Sequence, residues 1–470
     1  MKLVRIGPAR TISAMETVVK PIPQLARAFE ARGRSLYLVG GCVRDSLLSL
    51  PVSDYDCTTD APPDEIKHLV HAAGADSVYA VGERFGTIGA IFVDQRVEIT
   101  TYRTETYTAG DRKPHVEFGA TLEDDLSRRD FTINAMARPA LGGDLVDPYG
   151  GQADLAAGLV RAVGIPDERF REDPLRLLRG VRFVAQFSFT LEPKTRESIA
   201  RNCATLQTIS AERIAQEMNK ILLARQPGGA VRQLCELGLM PWIVPEFLDL
   251  RKEAAGGARH KDNFSHTLMV LDRTPPVLTV RWGALLHDIA KPRVMAVEED
   301  EVHFYGHEQM GREMASRILR RLRFDRATSD RVAHIVALSG RGNSYDGDWT
   351  DGAVRRFVRE AGDALEDLFM LSRADVTSRR IERVRAAEQR VADLQARCAQ
   401  LDAEADLARL RPPIDGLELM ELFGREPGPW IRPIKDRLLT MVLDGDLAPD
   451  DKESAIAIAR AMLEDGPQEV

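Results

Sequence analysis

The sequence contains little cysteine, few aromatic residues and no long apolar run. Five cysteines occur among 470 residues without a Cys-x-x-Cys pair, which argues against a disulfide framework and for a reducing compartment. No apolar stretch approaches the roughly 20 residues that a membrane-spanning helix needs. The first residues, MKLVRIGPARTISAMETVV, lack the continuous apolar core of a signal peptide. We therefore predict a cytoplasmic protein with no membrane partner.

The charge balance limits the surface chemistry. The net charge is -8 at pH 7, so the surface cannot be basic everywhere. Nucleic acid is still open as a partner, because a local basic stripe can contact phosphates. Residues 171–225 are a candidate stripe, with ten Lys or Arg against six Asp or Glu.

The apolar pattern changes along the chain. The segments SLYLVGG, GAIFV and VEITTYR, within residues 36–150, are short and rich in β-branched and aromatic residues, as strands are. After the turn-rich DPYGGQADL, strand signals nearly vanish and apolar residues recur at helical spacing. The sequence therefore predicts an α+β protein with a mixed-sheet head and a helical remainder. Its length suits about two to four domains.

A late segment has a heptad-like stripe of apolar residues, which is typical of a long helix. We favour a helix that packs on its own domain over an intermolecular coiled coil. The members of the stripe alternate three and four residues apart: Val384, Ala387, Val391, Leu394, Cys398, Leu401, Ala405 and Ala408.

A first candidate site lies in LVGGCVRDSLLSLPVSDYD. Asp54 and Asp56 are two residues apart, so on a strand they would face the same side and suit a divalent ion such as magnesium. Gly40–Gly41 would let the backbone approach a phosphate, and Arg44 could neutralise it. Glu98, in the later RVEITTYR, is a candidate third carboxylate. Taken alone, the aspartate pair is more typical of a solvated turn, and Glu98 is equally typical of an exposed strand residue.

A second candidate site is RRDFTINAMA. Arg128, Arg129 and Asp130 precede an apolar run that resembles a helix, so they could form a charged helix start. The alternative is a clamp in which the arginines hold phosphates and Asn134 reaches a ribose hydroxyl. The residues alone leave both interpretations open.

A third candidate site is REDPLRLLRGVRF. Asp173, Arg176 and Arg179 are spaced by three, so on a helix they would share one face. An ion-paired surface is one interpretation. The other is a base reader, because a carboxylate accepts from an exocyclic amine and a guanidinium donates two parallel hydrogen bonds. Cytosine and adenine fit that pattern, whereas guanine and uracil present the opposite polarity.

Together these motifs resemble the class II CCA-adding tRNA nucleotidyltransferases and the related bacterial poly(A) polymerases. The resemblance rests on five motifs in order over residues 36–225: LVGGCVRD…SDYD, RRDFTINAMA, DPYGGQADL, EDPLRLLRGVRF and SAERIAQEMNKIL. It implies a polymerase-β-like nucleotidyltransferase head over residues 1–150 and a helical, base-recognising neck over 151–230. A helical body would span 231–378, and a helical, tRNA-binding tail 379–470.

The resemblance also implies the chemistry. Asp54 and Asp56 would bind Mg²⁺ and catalyse template-independent addition of CCA to tRNA, using CTP and ATP and releasing pyrophosphate. Asp173 and Arg176 would select C and then A, and Arg179 would help to position the base. A charged loop within residues 102–126 would assist the switch from CTP to ATP, which favours full CCA addition. Three residues would buttress the base-reading helix: Glu212, Arg213 and Glu217.

A fourth candidate site resembles the metal centre of HD-type phosphohydrolases. Its ligands would be His266, His287, Asp288 and Asp375, which could hold a further divalent metal. In RVAHIVALSG, Ser339 stands where such domains often carry another histidine, and His334 lies one helical turn earlier. The alternative is that these histidines only pack in the core.

Two other functions stay open. Within the same fold, the protein could be a poly(A) polymerase or an enzyme that adds only CC or only A. In another class, the HD-like body could be the working site, as a phosphatase or 2′,3′-cyclic phosphodiesterase, with the head binding a nucleotide. The sequence does not give the oligomeric state.

Overall fold

The computed structural model describes residues 21–93, 95–106, 115–119, 121–253, 262–298, 301–377, 380–404 and 411–464. The strands are β1 Leu36–Val39, β2 Asp54–Thr59, β3 Ser77–Gly82, β4 Thr87–Phe92, β5 Gln95–Thr101, β6 Arg103–Thr106, β7 His115–Phe118, β8 Ala137–Pro139, β9 Leu159–Val160, β10 Thr190–Leu191, β11 Ala296–Glu298 and β12 Glu301–His303.

The helices follow the same chain order. In the first half they are α1 Pro21–Glu30, α2 Gly41–Leu47, α3 Pro63–Ala72, α4 Leu122–Ser127, α5 Gly151–Ala157, α6 Pro166–Glu172, α7 Leu175–Phe187, α8 Pro193–Asn202, α9 Ala211–Leu222 and α10 Pro227–Glu236. In the second half they are α11 Asp249–Glu253, α12 Asn263–Arg273, α13 Leu278–Leu286, α14 Lys291–Val294, α15 His307–Arg321, α16 Arg326–Ala337, α17 Asp351–Ala361, α18 Leu365–Asp375, α19 Ile381–Glu404, α20 Gly416–Phe423, α21 Ile431–Asp444 and α22 Lys452–Glu464.

The chain divides into two compact units. The first comprises Met1–Ile209 with Leu237–Leu239, and the second Ser210–Glu236 with Met240–Val470. The first unit contains the mixed sheet, and the described residues of the second are helical apart from the hairpin of β11 and β12. This arrangement confirms the predicted α+β fold class, although the sequence patterns did not predict the hairpin. The finer division into head, neck, body and tail stays a prediction.

A six-stranded mixed sheet organises the first unit. Its strand order is β3-β4-β5-β2-β1-β8, and β2 runs parallel to β5 between antiparallel neighbours. Alternate residues such as Tyr55, Val97 and Ile99 are buried, as the two-residue period of a strand requires. Helix α3 packs against β3, β4 and β5, and α1 packs against α3 and β1. These helices cover one side of the sheet and leave polar residues on the other.

The segment RRDFTINAMA differs from its predicted helical form. Thr132–Asn134 form one 3₁₀ turn, and Ala137–Pro139 then enter the sheet as β8. The apolar side chains from Phe131 to Ala137 are buried on all sides, so their spacing does not report a helix. The backbone bonds instead to a later segment, where the Thr132 N–H donates to the Arg161 carbonyl at 2.9 Å.

The turn-rich connector DPYGGQADL is half turn and half helix. Asp147 accepts from the backbone N–H groups of Gly151 and Gln152 at 2.7 and 2.9 Å, and α5 begins there. In the charged loop predicted over residues 102–126, strands β6 and β7 pair with each other. Residues 107–114 and 120 lie outside the described part of the chain.

The heptad-like stripe is the buried face of α19. Ala387, Val391, Leu394, Cys398 and Leu401 are buried, and α19 packs against α17 and α18 of the same unit. The stripe therefore packs within the same compact unit, against helices that the sequence assigned to the predicted body. The stripe positions 405 and 408 lie outside the described residues.

Two exclusions drawn from composition can be compared with the structure. All five cysteines are free, as their scattered positions predicted. Among the described helices, none is both long enough and apolar enough to cross a membrane.

Gly151 offers a test of how the connector packs against the preceding motif. A Cβ atom at this position would lie 2.2 Å from the Thr132 carbonyl oxygen, a backbone atom of the 3₁₀ turn. We predict that Gly151→Ala lowers the free energy of unfolding by about 1–3 kcal/mol, as overpacking does. Urea titration followed by circular dichroism measures this change.

Gly229→Ala is the matched control. A Cβ atom on this exposed helical glycine would have no neighbouring atom within 4 Å, so alanine should raise stability by about 0.4–1 kcal/mol. A Gly151→Ala protein as stable as the wild type would contradict the close packing of the connector on Thr132.

Candidate active site and metal centre

Three carboxylates share the uncovered face of the sheet. Asp54 and Asp56 alternate with buried Tyr55 on β2, and Glu98 on β5 is in parallel register with Asp56. Partial desolvation raises the pKa of Asp56; Glu98 and Asp54 also raise it, whereas Arg129 lowers it. The carboxylates therefore repel one another. This hard-oxygen, mutually repelling set fits a divalent cation, although the three oxygens do not converge within 4.8 Å of one another.

Gly40 makes room for an arginine beside these carboxylates. It follows β1 with φ 70°, and a Cβ atom there would lie 2.9 Å from Arg129 Nη1 and 3.8 Å from Asp56 Oδ2. Gly41 then begins α2. Gly40 therefore admits the Arg129 guanidinium, where sequence reasoning expected only space for a phosphate.

A buried polar network joins the first three sequence motifs. The Arg44 guanidinium donates to Asn134 Oδ1 at 2.7 Å, and Asn134 Nδ2 donates to Asp130 Oδ1 at 3.0 Å. Arg179 Nε donates to Asp130 Oδ2 at 2.7 Å. Burial alone would raise the pKa of Asp130, but Arg179, Asn134 and Arg176 outweigh it and hold that pKa at about 2. The network therefore contains an ionised carboxylate at neutral pH.

Aromatic rings of α7 line this network. The Arg44 guanidinium carbon lies 5.3 Å from the centre of the Phe183 ring and 4.7 Å from that of Phe187. The Arg179 guanidinium also lies 5.4 Å from the Phe183 ring centre. These cation–π contacts fix arginines from two elements against one helix.

Arg128 and Arg129 are held by a residue that sequence reasoning missed. The fully buried Asp125 accepts from Arg128 Nη2 at 2.5 Å and from Arg129 Nη2 at 3.2 Å. Burial alone would raise the pKa of Asp125, but the two arginines hold it below its usual value. The spacings of three and four residues on one helical turn were a signal that could have identified it.

Arg176 is fixed at the start of α7. Its Nη1 donates to Glu172 Oε2 at 2.8 Å and to the Arg169 carbonyl at 3.2 Å, and its Nη2 donates to the Arg128 carbonyl at 2.8 Å. The side chain is buried. It therefore connects the base-reading motif to the arginine pair of the second motif.

Asp173 lies before the helix on which it was expected. Pro174 is the N-cap of α7, and Asp173 Oδ1 accepts from the Leu175 N–H at 3.1 Å. The common helical face predicted for Asp173, Arg176 and Arg179 is thus wrong for Asp173. A residue before proline is disfavoured in helical conformation, which explains the difference.

The predicted buttress residues lie on α9 in the second unit. Ser210 caps this helix, Glu212 and Arg213 are exposed, and Glu217 is buried. Lys220 Nζ donates to Glu217 Oε1 at 3.5 Å. Their support of the base-reading helix stays a prediction.

The predicted HD-like ligands converge in the second unit. His266 Nε2 lies 2.8 Å from Asp375 Oδ1 and 3.4 Å from His287 Nε2. Asp288 Oδ2 lies 3.4 Å from His287 Nε2 and 3.7 Å from His266 Nε2. These residues come from α12, α18 and the segment after α13, so the fold assembles donors that are far apart in the sequence.

Outer contacts orient the two imidazoles. His266 Nδ1 lies 2.7 Å from Thr377 Oγ1, and His287 Nδ1 lies 2.8 Å from the Ala284 carbonyl. Burial lowers the pKa of His266, which favours a neutral, coordinating ring. Burial opposes ionisation of Asp375, but hydrogen bonds from both histidines hold its pKa well below the usual value. Two imidazoles and ionised carboxylates fit a divalent transition metal.

Ser339 and His334, where the sequence departs from the HD pattern, bear on how many metal ions the HD-like centre can hold. The Ser339 hydroxyl donates to the Val336 carbonyl at 3.0 Å, and His334 Nε2 lies 2.8 Å from the Glu360 carbonyl. Neither side chain joins the cluster. In the part of the chain that the structure describes, His266, His287 and Asp375 form the one group that meets metal-holding distances.

Family models match three parts of the chain. The model described as the poly A polymerase head domain covers residues 36–161, and that described as the probable RNA and SrmB-binding site of polymerase A covers 188–250. The HD domain model covers residues 263–380.

Individual relatives match different lengths of the chain. A CCA-adding enzyme of Bacillus subtilis is 42% identical over 48% of this chain and 55% of its own, so the chain aligns with about half of that relative. A Bacillus stearothermophilus CCA-adding enzyme, solved in complex with CTP, has a TM-score of 0.68 and 25% identity, covering 94% of this chain and 98% of its own.

One relative extends over most of both chains. An A-adding tRNA nucleotidyltransferase of Deinococcus radiodurans is 35% identical over 84% of this chain and 88% of its own. From this match, the ordered motifs and the shared fold, the chain belongs to the tRNA nucleotidyltransferase and poly(A) polymerase family.

Proposed function

We propose that the protein adds nucleotides to the 3′ end of tRNA without a template, building CCA from CTP and ATP and releasing pyrophosphate. The observation that carries this proposal is the placement of Asp54, Asp56 and Glu98 on one sheet face beside Arg129. A phosphoryl-transfer site needs hard oxygen ligands for cations next to donors for phosphate oxygens.

In this proposal the carboxylates hold Mg²⁺. When bound there, Mg²⁺ lowers the pKa of the attacking 3′-hydroxyl and neutralises charge on the α-phosphate and the leaving pyrophosphate. Asp125 already holds Arg129 in place. Arg129 can therefore contact a phosphate at a smaller cost in conformational entropy than a mobile side chain would pay. Gly40 keeps that approach open.

Asp173 and Arg176 would read the incoming base. Hydrogen bonds from Arg176 to Glu172 and to two backbone carbonyls set its orientation before a base arrives. A fixed donor beside a carboxylate matches the acceptor and exocyclic amine of cytosine and adenine. The ionised Asp130 holds Arg179 beside them.

Addition of A alone is the second candidate. The observation that favours it is that the A-adding relative aligns along 84% of this chain, whereas the Bacillus subtilis CCA-adding relative aligns along 48%. Both candidates use the same carboxylates and phosphate donors. They differ in which tRNA 3′ ends the enzyme extends, because an A-adding enzyme needs an acceptor that already ends in CC.

A second reaction, hydrolysis of a phosphate ester at the HD-like centre, is also proposed. The observation that favours it is the convergence of His266, His287, Asp288 and Asp375. When bound there, a divalent metal supplies an activated water molecule. The protein holds the imidazoles at fixed tilt through Thr377 and the Ala284 carbonyl.

A series of acceptors tests the main proposal. Three transcripts of one tRNA, lacking CCA, CA or only the terminal A, are incubated with Mg²⁺ and labelled CTP, ATP or both. We expect two C residues and one A on the shortest acceptor, followed by arrest. Gel electrophoresis at nucleotide resolution measures the products. Addition of A to the longest acceptor alone would establish the A-adding candidate, and long A tracts would contradict both.

The carboxylate assignment has its own test. Asp56→Asn should lower kcat by about 100-fold or more, because metal ions supply several kcal/mol of transition-state stabilisation. Asp144→Asn changes an exposed carboxylate of the same unit and should leave kcat unchanged. Undiminished addition by Asp56→Asn would contradict the assignment.

The HD-like centre can be tested separately by metal binding. Calorimetric titration of the metal-free protein with Mn²⁺ should show a binding event that Asp288→Asn abolishes and Thr377→Val weakens by about 10–100-fold. Asp288→Asn should also abolish hydrolysis of a 2′,3′-cyclic nucleotide. Nucleotide addition should persist in Asp288→Asn, and hydrolysis should persist in Asp56→Asn. Unchanged Mn²⁺ binding by Asp288→Asn would show that the cluster only packs.

A further inference from the structure

A cleft of about 400 Å³ opens on the carboxylate-bearing face of the sheet, beside Glu98. It lies over β3, β4 and β5, and its lining includes Tyr79, Thr87, Gly89, Arg96 and Arg103. The proposed chemistry of nucleotide addition uses only Glu98 from this group.

The floor of the cleft is an aromatic ring seated directly on the backbone. A Cβ atom on Gly89 would lie 2.0 Å from Tyr79 Cζ and 2.1 Å from Tyr79 Cε2. The backbone conformation of Gly89 is open to any residue, so the glycine is required for space alone. Any other side chain at this position would displace the half-buried tyrosine ring from the sheet.

Charged groups connect the ring to the catalytic carboxylates. Arg96 Nε donates to the Tyr79 hydroxyl at 2.6 Å, and Arg96 Nη2 lies 2.5 Å from Glu98 Oε1. Glu98 is in turn in register with Asp56 on the neighbouring strand. Arg103 adds a second cation at the cleft and donates to the Phe85 carbonyl.

The strand order places the phosphate donors and the cleft on opposite sides of Asp56. The phosphate donors lie on the β1 side of Asp56, where Gly40 and Arg129 are found. The cleft lies on the opposite side, since β5, β4 and β3 follow β2 in the other direction across the sheet. Nucleotidyl transfer proceeds in line, so the attacking hydroxyl and the leaving pyrophosphate must lie on opposite sides of the α-phosphorus.

We propose that this cleft is the acceptor subsite, which seats the 3′-terminal nucleotide of the RNA. The inference rests on the proposed function. The terminal base stacks on the Tyr79 ring, and Arg96 and Arg103 contact the backbone phosphate. The 3′-hydroxyl then faces Glu98 and Asp56. Its oxygen bonds to the α-phosphorus, the bond to the β-phosphate oxygen breaks, pyrophosphate leaves, and the hydroxyl proton passes to water.

Steady-state kinetics with the full-length protein test the subsite. Tyr79→Ala should raise KM for the tRNA acceptor about 5- to 150-fold, the range expected for loss of one base–aromatic stack, and leave KM for ATP unchanged. Tyr79→Phe retains the ring and should retain most of the affinity. Gly89→Ala should reproduce the Tyr79→Ala defect, because it expels the ring. Leu141→Ala, at an exposed residue of the same unit, is the control and should change neither constant.

Photocrosslinking tests contact without catalysis. A tRNA acceptor ending in 5-iodocytidine should crosslink to Tyr79 in the wild type, as mapped by mass spectrometry, and lose that crosslink in Tyr79→Ala. An unchanged acceptor KM in folded Tyr79→Ala, or a crosslink that maps outside the cleft, would overturn the proposal. A wild type that extends no acceptor would refute the proposed function, and the crosslink would still decide the subsite.

Discussion

The candidate nucleotide site depends on the buried carboxylate of Asp130, which pairs with the half-buried Arg179. Burial would make this carboxylate neutral, yet its partners hold its pKa at about 2. Removing Arg179 would leave the Asp130 charge buried without that partner, and an uncompensated buried charge costs roughly 3–5 kcal/mol. Through Asn134 the pair also orients Arg44 of α2. One ionised group thus connects the turn after α4, helix α7 and helix α2 before any ligand binds.

The opposite electrostatic situation holds on the sheet face. Asp54, Asp56 and Glu98 repel one another, and backbone pairing of β2 with β5 keeps them adjacent in spite of that repulsion. The buried residues that alternate with them, such as Tyr55 and Val97, anchor the register, since a slip by one residue would turn the apolar side chains to solvent. Core burial therefore maintains an arrangement that the charges alone would disrupt, as a preorganised cation site requires.

Local patterns allowed part of this site to be predicted, and long-range pairing set the rest. Asp54 and Asp56 could be placed on one face because strand alternation is local. The adjacency of Glu98 to Asp56 depends on a parallel pairing between distant segments, which no local period encodes. RRDFTINAMA was misread because complete burial removes the contrast between faces. Asp173 was predicted to lie on α7, but that helix begins only after its N-cap, Pro174. Tyr79 gave no signal at all, because its role depends on Gly89 of another strand.

In the HD-like centre of the second unit, too, local patterns predicted some residues and long-range contacts set the others. The adjacent His287 and Asp288 were identifiable by sequence, whereas Thr377, which orients His266, was not.

The single cluster also limits the chemistry. With Ser339 and His334 bonded to backbone carbonyls, the described residues offer donors for one ion rather than a bridged pair. One ion can activate water but cannot also clamp the leaving oxygen of a phosphodiester. In the proposed hydrolysis that function would fall to a cationic side chain of the protein; Lys291 Nζ lies 2.8 Å from Asp288 Oδ2, beside the cluster.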